Sequence, residues 1–134
     1  MRPQPGQAVT LGAKERMPSA WSNSQAAYTS SRRSGRPVAF TEIGYRSVAG
    51  GVKEPWNWET AGGTDLQLQS EAYRALFDTF WGREWFGGTF IWKWNPYLGA
   101  GKRSADTERD FTPQGKPALE VIREYYRMGT SVRR

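Results

Sequence analysis

The sequence predicts an α/β fold built on parallel strands, and three patterns indicate it. From Pro37 onward, apolar runs alternate with stretches of helical periodicity, in the order strand, helix, strand, helix. The run from Pro37 to Ile43 has no charge before Glu42, as expected of a buried parallel strand. The second run, Gly88–Trp94, is rich in the aromatic and β-branched residues that suit a pleated surface.

Two helices follow from the spacing of the apolar residues. Between about Asp65 and Trp81 these residues recur at intervals of three and four, with Thr64 or Asp65 available as the N-cap and Gly82 as the end. The second helix begins near Pro117, whose fixed φ suits a first helical position. Its apolar face consists of Ala118, Val121, Ile122 and Tyr125.

The composition restricts the chemistry that this chain can perform. Its 134 residues are about the length of one domain, and they include no cysteine and no histidine. Disulfides, thiolate nucleophiles and imidazole bases are therefore excluded, and a carboxylate is the expected acid, base or nucleophile. No apolar run approaches the ~18 residues of a membrane span, so no membrane contact is expected. The first seven residues lack the apolar centre of a secretory signal, and the localisation stays open.

The net charge of +6 does not follow a recognised nucleic-acid-binding motif. We interpret it as solvated surface charge and expect no nucleic-acid partner, although a basic aromatic protein that stacks bases is an alternative. Many of the basic residues lie near the ends of the chain: Arg32, Arg33, Arg36, Arg123, Arg127, Arg133 and Arg134.

Three segments are expected along the chain. Residues 1–35 are rich in Gly, Pro, Ser and Arg and form a leader, with one weakly apolar stretch from Trp21 to Tyr28 that could be a short helix. Residues 36–128 carry the strand and helix pattern. Residues 129–134 form a basic tail.

Glu42 is the first candidate for chemistry, because catalytic groups of α/β barrels lie at the ends of parallel strands. The chain leaves this strand at Gly44, which can carry the carboxylate into a cleft. The structural alternative is a carboxylate that caps a helix or pairs with Arg46. If Glu42 is catalytic, Arg46 or Tyr45 could help to keep it ionised.

Aromatic residues gather near the same strand ends. Trp92 and Trp94 end the second strand, and Trp56 and Trp58 lie in the loop that follows the first. Exposed indole rings give sugars a flat apolar face to stack on, so these residues are candidate carbohydrate contacts. Packing in the core is the alternative for Trp92 and Trp94.

No metal and no cofactor are expected. Asp106, Glu108 and Asp110 alternate in a loop, but the glycine and the closing glutamate of a calcium loop are absent at the required positions. We interpret these carboxylates as a solvated acidic turn.

Five ordered motifs between about Arg36 and Tyr126 resemble the C-terminal part of glycoside hydrolase family 113, a family of β-mannanases with a (β/α)8 barrel. Several motifs in matching order are more specific than any one of them. The motifs are Thr41–Ser47, Lys53–Trp58, Gln69–Tyr73, Gly88–Trp94 and Asp110–Ala118.

The resemblance implies roles for individual residues. Glu42 matches the catalytic nucleophile at the end of barrel strand seven, and Trp92 matches a tryptophan at the end of strand eight, in the floor of the sugar subsite where cleavage occurs. Tyr45, Trp56 and Trp58 would lie in loops over the cleft and contact substrate. The segment around Gln114 also matches, and there we expect a structural turn that starts the final helix.

The sequence departs from the family in its length. A (β/α)8 barrel needs about 250 residues and takes its acid/base glutamate from an earlier strand. We therefore expect only the C-terminal portion of a barrel, about strands seven and eight with their helices, in which the leader can at most supply the helix before strand seven. Such a chain would have little or no hydrolase activity alone. The truncation could be an artefact of the gene model or assembly, a split gene whose partner supplies the missing half of the barrel, or a decayed remnant. The alternative is a non-catalytic carbohydrate-binding or decayed remnant. Four residues are candidates for surface that the missing half would cover: Trp81, Trp85, Phe86 and Phe90.

Overall fold

The computed structural model describes residues 28–98 and 107–130. After a helical segment at residues 28–34, the order is β1 (Val38–Ile43), α1 (Leu66–Phe80), β2 (Phe86–Ile91) and α2 (Pro117–Met128). The predicted alternation of strands and helices is confirmed. The expected helix at Trp21–Tyr28 lies outside the described residues except for Tyr28, as do most of the leader and residues 131–134 of the tail.

α1 begins and ends within one residue of the predicted range, and α2 begins at the predicted Pro117. The Asp65 side chain caps α1 by accepting a hydrogen bond from the Leu68 amide at 2.8 Å. Thr64 instead forms an isolated antiparallel bridge with Val48, which closes the long loop between β1 and α1. α2 runs from Pro117 to Met128 and is capped by Gly129, whose positive φ of 69° glycine adopts without strain. No helix among the described residues is long and apolar enough to cross a bilayer.

The two strands are parallel neighbours, but β2 is placed differently from the prediction. It starts two residues earlier than expected and ends at Ile91 rather than Trp94. The pairing includes the two-glycine sequence Gly87-Gly88, because Val38 pairs with Phe86 while Ala39 pairs with Gly88. One extra residue on β2 is therefore a bulge, which glycine accommodates readily.

An aromatic core joins one face of this sheet to both helices. Phe40 of β1 meets Phe80 and Phe86 edge to face at 5.0 and 5.2 Å between ring centroids. Phe77 of α1 packs against Tyr125 of α2 at 4.9 Å. These contacts close a single core between the strands and the helices.

Two of the residues expected to need cover from outside are buried within this core. Trp81 is 7% exposed and Phe86 is fully buried, so the expectation for them is wrong. Trp81 also donates its indole N–H to the Gly129 carbonyl at 2.7 Å, which ties α1 to the end of α2. Trp85 packs at the edge of the core, whereas Phe90 is 67% exposed.

The burial pattern divides the sheet into a covered and an uncovered face. Phe40 and Phe86 face the helices, while Ala39, Thr41 and Phe90 are exposed. Among residues 28–98 and 107–130, α1 and α2 form a layer on the first face only. The described residues thus form two strand-helix units with an open inner face.

Replacing Phe86 by alanine should destabilise the fold by about 3–5 kcal/mol, because the change removes a fully buried ring from the core. The matched change Phe90→Ala, on the same strand, should cost no more than about 0.5 kcal/mol because that ring is exposed. Urea unfolding of both variants measures the difference. Equal losses would contradict the assignment of the two faces.

Tyr73 provides a second test of the core. Its hydroxyl is buried next to the Tyr45 backbone, which favours the charged form slightly, but it makes no hydrogen bond of normal geometry in the described structure. Burial is the main cause that raises the pKa of Tyr73 above its usual value, and the neighbouring Tyr45 is the second. The folded state therefore favours the neutral phenol. The neutral phenol therefore contributes to the free energy of unfolding below about pH 10, the pKa of an unfolded tyrosine. This contribution is lost as the pH rises from there towards the pKa of the folded state.

Tyr73→Phe should therefore leave stability at pH 7 unchanged or raise it by about 1 kcal/mol, since it removes an unsatisfied buried hydroxyl. The decline of stability above about pH 10 should also become shallower. Urea midpoints at pH 7 and pH 11 measure both effects, with the exposed Tyr28→Phe as control. A clear destabilisation at pH 7 would mean that the hydroxyl has a partner.

Candidate active site

Glu42 lies in an irregular stretch at the end of β1. Phe40 pairs with Thr89 and Ile43 with Ile91, so β1 advances three residues while β2 advances two. This second bulge interrupts the alternation of the strand, and Thr41 and Glu42 are both exposed. Bulges often redirect a side chain beside an active site, and here the bulge leaves the Glu42 carboxylate open to solvent.

The structure does not support the alternative in which Glu42 pairs with Arg46 or caps a helix. Within the described residues the Glu42 carboxylate has no hydrogen bond and no ion pair. The Arg46 guanidinium donates instead to the carbonyls of Arg109 at 3.1 Å and Thr60 at 3.0 Å. Arg46 therefore braces two loops, and this structure gives it no contact that would keep Glu42 ionised.

Trp92 lies directly beside the end of β1. Its amide donates to the Ile43 carbonyl at 2.7 Å, which extends the strand pairing by one residue past Ile91. A Cβ at Gly44 would lie 3.0 Å from the Trp92 Cβ and 3.2 Å from the Phe111 ring, so only glycine allows this close approach. Trp92 is 49% exposed and packs against Gly44, two residues beyond Glu42.

An ionic cluster that is buried on one side only fixes the chain on both sides of this point. Lys93 adopts a φ of 66°, unusual for a residue other than glycine, and its ammonium lies 3.4 Å from the Asp110 carboxylate. The fully buried Lys116 ammonium lies 3.3 Å from Asp110 and 3.0 Å from the Ser47 hydroxyl. Because a buried charge must be paired, this cluster ties the end of β2 to the loop after β1.

The expectation that Asp110 is a solvated carboxylate is therefore wrong. Asp110 forms ion pairs with Lys93 and Lys116, and it also accepts a hydrogen bond from the Thr112 amide at 2.7 Å. Asp106 lies outside the described residues. Within the described residues, no group of three or more potential ligands could hold a metal ion. The ion cluster did not stand out in the sequence, although Lys116, directly before the apolar residues of α2, is a usable signal. Gly44 did stand out, as the residue at which the chain leaves β1, but its close approach to Trp92 did not.

Tyr45 is placed differently from the expected loop residue over a cleft. Its ring is 5% exposed and packs edge to face on Tyr73 at 5.1 Å between centroids. Its carbonyl accepts a hydrogen bond from the buried Gln69 amide at 2.9 Å. Tyr45 thus belongs to the hydrophobic core and offers no ring surface to a sugar in this structure.

The remaining predicted aromatic residues are exposed. Trp94 is half-exposed like Trp92, so neither ring is buried in the core as the alternative required. Trp56 is 70% exposed and Trp58 is 72% exposed, and both lie in the loop that the Val48–Thr64 bridge closes. The structure therefore places Trp92 against Gly44, two residues after Glu42. Trp94 lies two residues further on, and Trp56 and Trp58 lie in the loop that follows β1.

These strands and helices define a partial (β/α)8 barrel of the glycoside hydrolase type. The chain belongs to glycoside hydrolase family 113, whose model matches residues 12–116. No curated protein sequence matches the chain.

Three solved structures are similar to the chain. A GH113 β-1,4-mannanase in a complex has 29% identity and a TM-score of 0.71, covering 82% of this chain and 35% of that one. The GH113 β-mannanase AaManA from Alicyclobacillus acidocaldarius, in complex with ManMIm, has 25% identity and a TM-score of 0.69, covering 81% and 34%. Another GH113 β-1,4-mannanase structure has 31% identity and a TM-score of 0.67, covering 81% and 35%. The chain spans about a third of the length of these enzymes.

Gly44→Ala should displace the Trp92 indole, because the new methyl group would lie 3.0 Å from a Cβ carbon that cannot move freely. We expect a loss of about 1–3 kcal/mol in unfolding free energy and a shift of the Trp92 indole N–H resonance. Gly63→Ala is the matched control, since a methyl group there meets nothing within 4 Å. An unchanged indole resonance in Gly44→Ala would contradict the close packing.

Proposed function

We propose that this chain supplies the nucleophile side of a retaining β-mannan hydrolase, with Glu42 as the nucleophile. One observation carries the proposal: the exposed Glu42 carboxylate lies at the bulged end of β1, directly before Ile43, whose carbonyl accepts a hydrogen bond from the amide of the half-exposed Trp92. Membership of glycoside hydrolase family 113 supports reading this carboxylate as a nucleophile and this tryptophan as a sugar contact.

The chemistry requires two carboxyl groups. In a retaining glycosidase, one carboxylate attacks the anomeric carbon and a second carboxyl group, about 5–5.5 Å away, protonates the leaving oxygen. We propose that Glu42 is the first, and that the second comes from an earlier barrel strand outside these 134 residues. Hydrolysis of unactivated mannan would then require those earlier strands as well, and these 134 residues alone would be inactive on it.

The substrate is proposed to be a β-1,4-mannan. The similar structures are described as β-mannanases, and the exposed Trp92 and Trp94 rings offer the apolar face on which a sugar stacks. Trp56 and Trp58 would make further contacts with the polymer from their own loop.

A substrate that needs no acid catalyst tests the role of Glu42 in the chain as it exists. A β-mannosyl fluoride with fluorine at C2 loses fluoride without protonation when a carboxylate oxygen bonds to the anomeric carbon, and the C2 fluorine slows hydrolysis of the resulting ester. Intact mass spectrometry should show one added 2-fluoromannosyl group, located by digestion on the peptide that contains Glu42. Glu42→Gln should remove the adduct.

The control is Glu59→Gln, which changes another exposed carboxylate in the loop after β1 and should leave labelling intact. Labelling of several carboxylates, or equal labelling in Glu42→Gln, would refute Glu42 as the nucleophile.

A second candidate function is carbohydrate binding without chemistry. Four tryptophans with 49–72% exposure, all in segments that follow a strand, favour it. Retention of the chain on β-mannan together with no adduct at Glu42 would favour this function over the first.

A further inference from the structure

The loop after β2 carries an exposed aromatic side chain that the sequence did not single out. Tyr97 is 97% exposed, although its backbone is held in place. Its amide donates to the Asn95 side-chain oxygen at 2.9 Å, and the Leu98 amide donates to the Asn95 carbonyl at 3.3 Å. The ring is therefore presented to solvent from a hydrogen-bonded turn.

One buried side chain holds both ends of this turn. Gln114, 1% exposed, accepts from the Asn95 amide at 2.7 Å. Its own amide nitrogen donates to the carbonyls of Asn95 at 2.9 Å and Leu98 at 2.5 Å. Both donors of the primary amide and one acceptor site are used, which fixes the orientation of the group. The motif expected to form only a helix-starting turn thus also clamps the loop.

The loop leaves the same edge of the sheet as Glu42, since β1 and β2 are parallel neighbours and Trp92 bonds to Ile43. No other side chain of the described residues covers the Tyr97 ring, which is 97% exposed, so its flat face is open to a ligand. A flat ring on a rigid loop binds a ligand with little ordering cost.

We infer that Tyr97 stacks on a sugar unit of a β-linked mannan and that Gln114 is the positioning residue that fixes its loop. This inference rests on the glycan binding in the proposed function and adds a contact beyond the tryptophans. Tyr97 makes the sugar contact, while Gln114 acts only through the turn that it holds.

Electrophoresis of the chain in native gels with graded soluble glucomannan tests the contact. Tyr97→Ala should weaken retardation about 3- to 10-fold in apparent Kd, the usual worth of one stacked ring. Tyr97→Phe, which keeps the ring, should bind like the unchanged chain. Tyr28→Ala is the matched control, since Tyr28 is exposed in the helical segment before β1.

The positioning role has its own readouts. Gln114→Leu should speed amide hydrogen exchange at Asn95 without any glycan present, because that amide loses its acceptor. Gln114→Leu should also weaken glucomannan binding, and combining it with Tyr97→Ala should give no further loss, since both changes act through one ring.

The outcomes separate the two proposals. Retardation of the unchanged chain with equal retardation of Tyr97→Ala would overturn the inference and leave the proposed function intact. Additive losses in the double variant, or unchanged exchange at Asn95, would overturn the role of Gln114. No retardation of the unchanged chain would overturn both this inference and glycan binding by the chain, whereas the labelling of Glu42 would still test the nucleophile.

Discussion

The parallel pairing of β1 (Val38–Ile43) with β2 (Phe86–Ile91) is the constraint on which the rest of the structure depends. The aromatic rings on the helix side hold the two strands together, because Phe40 contacts both Phe80 and Phe86. With this face fixed, the bulge at the end of β1 exposes Glu42 at the edge where Trp92 bonds to Ile43. The site is therefore a product of register, and a one-residue slip of either strand would separate its two members.

The segment before α2 fixes the loops that leave this edge. Asp110 and Lys116 connect the end of β2 to Ser47, and Gln114 holds the turn that carries Tyr97. Each of these polar groups is largely buried and satisfied by hydrogen bonds, so each resists small displacements. Loops that are held by buried polar contacts and carry exposed aromatic rings are suited to binding a polymer that has both hydroxyl groups and apolar faces.

The sequence predicted the features that depend on local pattern. Asp65 and Pro117 predicted where α1 and α2 begin, and the uncharged run before Glu42 predicted β1. Features set by tertiary pairing were not predictable, among them the bulge beside Glu42. Tyr45 shows the same limit, because its ring turns into the core only where the loop after Gly44 packs on α1. The ion cluster, and the hydrogen bonds from Gln114 to the loop that carries Tyr97, join residues far apart in sequence, so residue spacing alone did not indicate them.

The contact between Trp92 and the end of β1 is the central claim, and proton NMR of the chain in solution tests it most directly. We predict a cross-relaxation peak between the Trp92 indole ring and the Gly44 α protons, together with slow exchange of the Trp92 amide bonded to Ile43. Absence of the peak with free exchange of that amide would mean that the strand ends do not meet, and that Glu42 and Trp92 do not form one site.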